Sequence, residues 1–134
     1  MLLDTHVWLW LMTGDTALPS AARNAINSAA ARGALAVAAI SIWEIALLAS
    51  CGRVRLGKPT LEWVEQSLSA PGLTLEPLSP RIAVESCQLP GQFHNDPADR
   101  IIAATARCTG AVLMTRDRRM LDYAALGHVA ALAA

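Results

Sequence analysis

Residues 94–106, His-Asn-Asp-Pro-Ala-Asp-Arg-Ile-Ile-Ala-Ala-Thr-Ala, set two carboxylates, Asp96 and Asp99, around a proline suited to the first turn of a helix. Pro97 lacks an N–H that would have no intrahelical partner at this position, which makes Asp96 a natural N-cap. Asp99 falls in the first turn, where the positive end of the helix dipole favours its ionised form. Ile101, Ile102, Ala104, Thr105 and Cys108 continue the helix, and the small alanines allow it to lie close to a sheet. Acids aimed in this way suit a cation, provided that others converge on the same point.

Three further acids follow short apolar runs: Asp4 after residues 1–3, Glu44 shortly after 35–40, and Asp117 after 111–114, in Thr115-Arg116-Asp117. Ligand sites in open α/β sheets gather at the carboxyl ends of strands, which is where these acids fall. Several carboxylates sharing a pocket repel one another and raise each other's pKa unless a cation is present. A hard divalent ion, Mg²⁺ or Mn²⁺, resolves that conflict because it prefers oxygen ligands. Such an ion serves phosphodiester hydrolysis by activating water and neutralising charge on the scissile phosphate. Glu44 has a second reading, since Ser41 and Glu44 have the S-x-x-E spacing of a capping box. Ser41 and Thr115 read either as hydroxyls that orient neighbouring carboxylates or as ordinary caps. Arg116 reads either as a phosphate contact or as a surface or ion-pairing residue.

These side chains need a scaffold, and the pattern of apolar runs and breakers supplies one. Strands are expected at 1–3, 35–40, 111–114 and 128–132, with a weaker one at 73–75. Helices are expected over 6–12, 20–31, 41–48, 60–69, 79–89 and 119–124, besides the one opened by Pro97. Gly14, Gly33, Pro71-Gly72, Pro90-Gly91 and Gly110 mark the stops. Alternating strands and helices imply a three-layer α/β/α domain over residues 1–134, its central sheet mainly parallel, with four or five strands. Trp8 and Trp10 point to different faces of the first helix, so at most one enters the same core; the other is either a candidate for a partner surface or packed against a different neighbouring helix.

Of the 134 residues, 54% are apolar and 16% charged, which supplies a substantial core and excludes a disordered chain. Acids and bases balance at 11 each, so bulk charge gives no attraction to a polyanion, which must be held by local patches or metal ions. One such patch is the loop carrying Arg53, Arg55 and Lys58, either solvated surface or a contact to a phosphate backbone. Cys51, Cys87 and Cys108 are widely spaced and form no CxxC pair, which points to a reducing cytoplasm and away from disulfides or a zinc knuckle. Neither a signal peptide nor a bilayer-spanning run is expected.

Leu-Leu-Asp-Thr-His-Val-Trp-Leu-Trp at the start, Ser-Ile-Trp-Glu-Ile-Ala in the middle, the His94–Ala106 run and Leu-Met-Thr-Arg-Asp near the end resemble the PIN-domain family, and within it the VapC-type toxins. The resemblance covers nearly the whole chain. It implies a three-layer α/β/α nuclease that cleaves RNA with Mg²⁺ or Mn²⁺, with Asp4, Glu44, Asp99 and Asp117 as the acidic site and Asp96 as a supporting or capping acid. It further implies a VapB-like antitoxin partner and a homodimer, without a membrane. Asn95 stands where a basic residue is usual. Two other readings stay in view. A phosphatase with an aspartyl nucleophile is disfavoured, because that chemistry wants an acid two residues after Asp4 and position 6 is His6. A catalytically silent PIN-like module that binds RNA or a protein is disfavoured by the intact set of acids.

Overall fold

Leu2–Leu3 forms β1, the central strand of a five-stranded sheet, in the computed structural model, which describes residues 1–134. After it come α1 (Thr5–Thr13), α2 (Ser20–Ala31), β2 (Leu35–Ala38), α3 (Ala39–Ser50), α4 (Thr60–Leu68) and β3 (Leu73–Glu76). The chain continues through α5 (Pro80–Cys87), α6 (Pro97–Thr109), β4 (Leu113–Thr115), α7 (Arg118–Ala125) and β5 (Ala131–Ala133). Strand order is β3-β2-β1-β4-β5 and every pairing is parallel. The chain therefore winds outward from β1 to β3, then returns to the other side of β1 for β4 and β5. A reversal of this kind opens a crevice outside the carboxyl ends of the two strands that flank it. Asp4 follows one of them and Asp117 the other.

The two-residue period of a strand sends neighbouring side chains to opposite faces, and both faces are covered. Leu3, Val37 and Met114 pack with Val7 and Trp8 of α1, Ile26 of α2, Ile45 of α3 and Trp63 of α4. Leu2, Ala38 and Leu113 pack on the other side with Ile82 of α5, Ile102 of α6 and Met120 of α7. The register matches this division, with Leu3 beside both Val37 and Met114, and Leu2 beside Leu113. Ala103, Ala104 and Ala106 of α6 are almost completely buried, which brings that helix and its N-terminal acids close to the sheet.

Several boundaries differ from the sequence expectations. Residues 39 and 40 open α3 instead of extending β2, since a short apolar run does not distinguish a buried strand from a buried helical turn. Ala38 is the N-cap and makes no side-chain cap bond. Ser41 is therefore inside the helix, and the capping box with Glu44 does not form. The fourth strand starts later than expected because Gly110, with φ of 69°, ends α6 and the Ala111 N–H donates back to the Ala106 carbonyl at 3.1 Å. Residue 111 thus belongs to the helix's closing turn. The last strand is likewise displaced, as the His128 carbonyl accepts from Arg107 instead of lying within a ladder. The weak candidate at 73–75 is a true edge strand of four residues. Trp8 is fully buried, whereas Trp10 is only half-buried.

Gly72 fixes how the chain enters β3. Its φ is +79°, and an added Cβ would lie 1.9 Å from the Ala30 carbonyl oxygen at the end of α2. Gly72→Ala combines a left-handed backbone with overpacking, and is expected to cost about 3 kcal/mol. The measurement is a lower denaturant midpoint at unchanged slope.

Candidate active site

Asp4 is held where β1 gives way to α1. One carboxylate oxygen accepts the Thr5 N–H at 2.8 Å and the other accepts the Thr115 hydroxyl at 2.6 Å. The residue is 8% exposed, and burial raises its pKa despite those two bonds. The Thr115 oxygen also accepts the Asp117 N–H at 3.0 Å, so a single hydroxyl at the end of β4 ties together the two acids of the crevice.

Glu44 reaches the same place from the second turn of α3. The Thr5 hydroxyl oxygen lies 2.5 Å from its carboxylate and 2.9 Å from the Ser41 hydroxyl. Thr5 has one proton to give, and the carboxylate is the stronger acceptor, so the Ser41 hydroxyl donates to Thr5 and Thr5 to Glu44. Ser41, completely buried, thereby orients Glu44 through an intermediary. Burial, together with the charges of Asp4, Asp99 and Asp96, pushes the Glu44 carboxyl up to about 7 against the effect of the Thr5 bond. Thr5→Val would remove this donor and leave Ser41 without its partner. The expected result is a further rise of the Glu44 pKa, read by carboxyl-carbon NMR titration, and a loss of about 1 kcal/mol of stability.

Asp99 occupies the third position of α6, and its N–H donates at 3.0 Å to Asp96, which caps the helix as expected. Its carboxylate lies 2.6 Å from His94 Nε2 and 3.3 Å from Arg119 Nη2. Burial raises the pKa of Asp99 and outweighs the His94 contact. Arg100 fastens the preceding segment by donating to the carbonyls of Ser86, Phe93 and His94. Asp117 caps α7, accepts the Arg119 N–H at 2.8 Å and lies 3.0 Å from Arg119 Nη2. Burial alone would raise its pKa, but the Arg119 bonds and charge win and lower it. Arg116 points back over the first helix, where it donates to the Ala17 carbonyl at 2.7 Å with its guanidinium 5.7 Å from the Trp10 ring centre.

All five acids, Asp4, Glu44, Asp96, Asp99 and Asp117, line one open pocket of about 570 Å³, along with Arg116 and Arg119. The pocket has two electrostatic halves. Asp99 and Asp117 share Arg119, whereas no Lys, Arg or His comes within ion-pair distance of Asp4 or Glu44. Thr5, His94 and Arg119 carry much of this geometry. None of the three is among the candidate site residues that the sequence offers. The Asp-Thr pair after the first strand and the five-residue spacing of His94 and Asp99 were the available signals.

The pocket fits a hard divalent cation by its chemistry. Its donors are carboxylate oxygens, and three of them have raised pKa values through burial and mutual repulsion. No three acidic, histidine or cysteine side chains close around a single point as a ready-made cage. Mg²⁺ does not need one, since it binds through one or two carboxylates and keeps several waters.

Comparison with known proteins agrees with this architecture. The chain is similar to ribonuclease VapC22 of Mycobacterium tuberculosis, with 42% identity over 123 residues, 92% of this chain and 91% of that protein. Its fold is similar to that in the crystal structure of VapBC2 from Rickettsia felis bound to a DNA fragment from their promoter, with a TM-score of 0.71 and 15% identity. That match covers 98% of this chain and 96% of the other. DNA-bound VapBC from Salmonella typhimurium gives a TM-score of 0.70 at 17% identity, with the same coverage. These two structures speak to the fold alone. The PIN-domain profile matches residues 1–126, and with the VapC22 relationship it shows that the chain belongs to the PIN-domain family, among its VapC-type members.

Proposed function

We propose that the protein is a divalent-metal-dependent endoribonuclease that hydrolyses RNA phosphodiester bonds, the toxin component of a VapBC-type pair. The observation that carries this reading is the Asp4–Glu44 half of the pocket: two carboxylates at the sheet's switch point, held by hydroxyls and backbone, without a cationic partner. The 42% identity to a protein named as a ribonuclease supports the same reaction. Asp4, Glu44 and Asp99 would hold Mg²⁺ or Mn²⁺, with Asp117 at the edge of the site. Such an ion, when bound, supplies an activated water and neutralises charge on the scissile phosphate.

The chain's own groups do the rest. Thr115 fixes Asp4, and the Ser41–Thr5 relay fixes Glu44, so both carboxylates present their remaining lone pairs to the pocket. Asp96 acts as a helix cap and adds negative charge at the rim. Arg116, exposed and braced on Trp10, would meet a phosphate of the substrate. Arg119 neutralises the outer acids and spares the RNA backbone their repulsion.

The relatives also suggest partners, namely a VapB-like antitoxin and a second copy of the toxin. Trp43, Leu47 and Leu61, exposed on α3 and α4, offer apolar surface for such contacts. No helix is long and apolar enough to cross a membrane, and the three cysteines are unpaired. We place the protein in the cytoplasm on the thiols. The deciding experiment is incubation of a structured RNA pool with the purified chain in Mg²⁺, Mn²⁺ or EDTA. Cleavage that requires the ion supports the proposal. Binding without cleavage would move a silent RNA-binding module ahead of it.

A further inference from the structure

We infer that the loop between α3 and α4 carries a track for single-stranded RNA, leading away from the acid pocket across Trp10 and His6 to Arg53, Arg55 and Lys58. The inference rests on the nuclease reading for the placement of the scissile phosphate, and otherwise stands on the shape and charge of this surface.

Three depressions join end to end through shared residues. His6 and Trp10 line the acid pocket and also a second groove of about 480 Å³. Arg53 and Arg55 line that groove with Leu9 and Leu48. Thr13 and Arg55 are in turn common to it and to a third depression of about 570 Å³, which contains Lys58 and Gln66. A strand lying in the acid pocket can therefore continue over the Trp10 ridge and along the loop without a break.

The chemistry along this path suits a nucleic acid. Arg53 and Arg55 are exposed and make no side-chain hydrogen bond or ion pair, unlike Arg107, Arg118 and Arg119, which each hold an acid. Lys58 contacts only the neutral Gln66. Asp15, the acid on this wall, accepts the Ala17 N–H. The ring centres of His6 and Trp10 lie 6.0 Å apart, and Arg116 braces Trp10 from the pocket side. An aromatic step flanked by unpaired cations is the arrangement that binds single strands without reading sequence, because every base has a face to stack and every nucleotide a phosphate. An acidic peptide would also meet the cations, but it has no base to stack on the His6–Trp10 step. The overall charge is zero, so any polyanion must be held by such a patch.

The test is fluorescence anisotropy of a short labelled oligouridylate at several salt concentrations, in Ca²⁺ to limit cleavage, with oligonucleotide integrity checked afterwards. The Arg53→Ala/Arg55→Ala/Lys58→Ala variant, whose changes are all on the surface, is compared with wild type and with Arg53→Lys/Arg55→Lys. Loss of three phosphate contacts is expected to weaken binding roughly tenfold or more at low salt. It should also flatten the slope of log K against log salt by about two. The lysine variant should keep that slope, and oligouridylate should quench tryptophan fluorescence in wild type and much less in Trp10→Phe. Unchanged affinity and slope in the triple-alanine variant would overturn the track, as would displacement of the RNA by polyglutamate at equal concentration. The two proposals fail separately. If wild type cuts RNA and the alanine variant cuts it with the same KM, the track falls and the nuclease stands. If the salt slope depends on the three cations but no RNA is cut, the track stands alone.

Discussion

Replacing Asp4 by asparagine is expected to lower the rate of RNA cleavage by at least about 10³-fold while leaving the protein folded. The substitution preserves shape. Asn caps a helix about as well as Asp, its carbonyl oxygen can still accept the Thr5 N–H, and the Thr115 hydroxyl can turn to accept from the amide. What is lost is a charged oxygen ligand in the half of the pocket that has no other cation. Metal-centred charge stabilisation is worth several kcal/mol, and about 4 kcal/mol of it corresponds to the stated loss. Asp99→Asn should behave similarly. Asp117→Asn should cost less, because the Arg119 bonds and charge already stabilise that carboxylate and lower its pKa, whereas the pKa of Asp99 stays raised. Single-turnover cleavage measures the effect, and thermal unfolding shows that each variant is folded. In EDTA at neutral pH the Asp4→Asn protein should melt higher than wild type, since the raised pKa of Asp4 means that its charge is disfavoured in the folded state. A folded Asp4→Asn enzyme that cuts at the wild-type rate would remove Asp4 from the chemistry.

The second large effect is the pH dependence of divalent binding. Glu44 titrates at about 7 in the fold against an ordinary value of 4.5. Between those values the folded chain holds a proton that the unfolded chain has released. The stability of the metal-free protein should therefore fall as pH rises through this window, then level off above about pH 7. Asp4 and Asp99, also raised, contribute in the same direction. Asp117 is lowered and acts oppositely, with its contribution lost as pH falls through its folded pKa. A divalent ion that binds Glu44 must displace the proton, so its affinity should climb by up to about tenfold per pH unit below 7 and flatten above. Calorimetric titration with Mn²⁺ in buffers of different ionisation enthalpy reads both the affinity and the protons released. In Glu44→Gln the dependence near pH 7 should vanish. Persistence of the same slope there would assign the proton to another group.

The sequence made the acids easy to find and their partners hard. Asp96 and Asp99 announce themselves through Pro97 and the alanines, and Asp4 and Asp117 through the apolar runs before them, because caps and strand ends are local signals. Thr5 acts on a glutamate 39 residues away, and Arg119 bridges Asp117 to an acid 20 residues before itself. Such contacts depend on which strands become neighbours, and no periodicity encodes that. The same limit explains Ser41. Its spacing to Glu44 satisfies a local capping rule, yet its partner is Thr5, at the start of α1. The layers were legible from alternation, but the strand order was not. It arises because β3 lies at one edge and the long return through α5 and α6 passes to the other side of β1.

Asp4, Asp96 and Asp117 each occupy a helix N-cap and accept a backbone N–H there. The pocket's acids are thus also the points from which α1, α6 and α7 begin, and this shapes how the chain can change over generations. Exchange for alanine forfeits both roles, with about 1 kcal/mol of stability lost at each cap, while exchange for asparagine keeps the cap and the shape and forfeits the charge. Disarming this protein is therefore a short evolutionary step that leaves the scaffold intact. Descendants free of selection for activity would retain Asn at positions 4 and 117 more readily than Ala, with the same architecture around them.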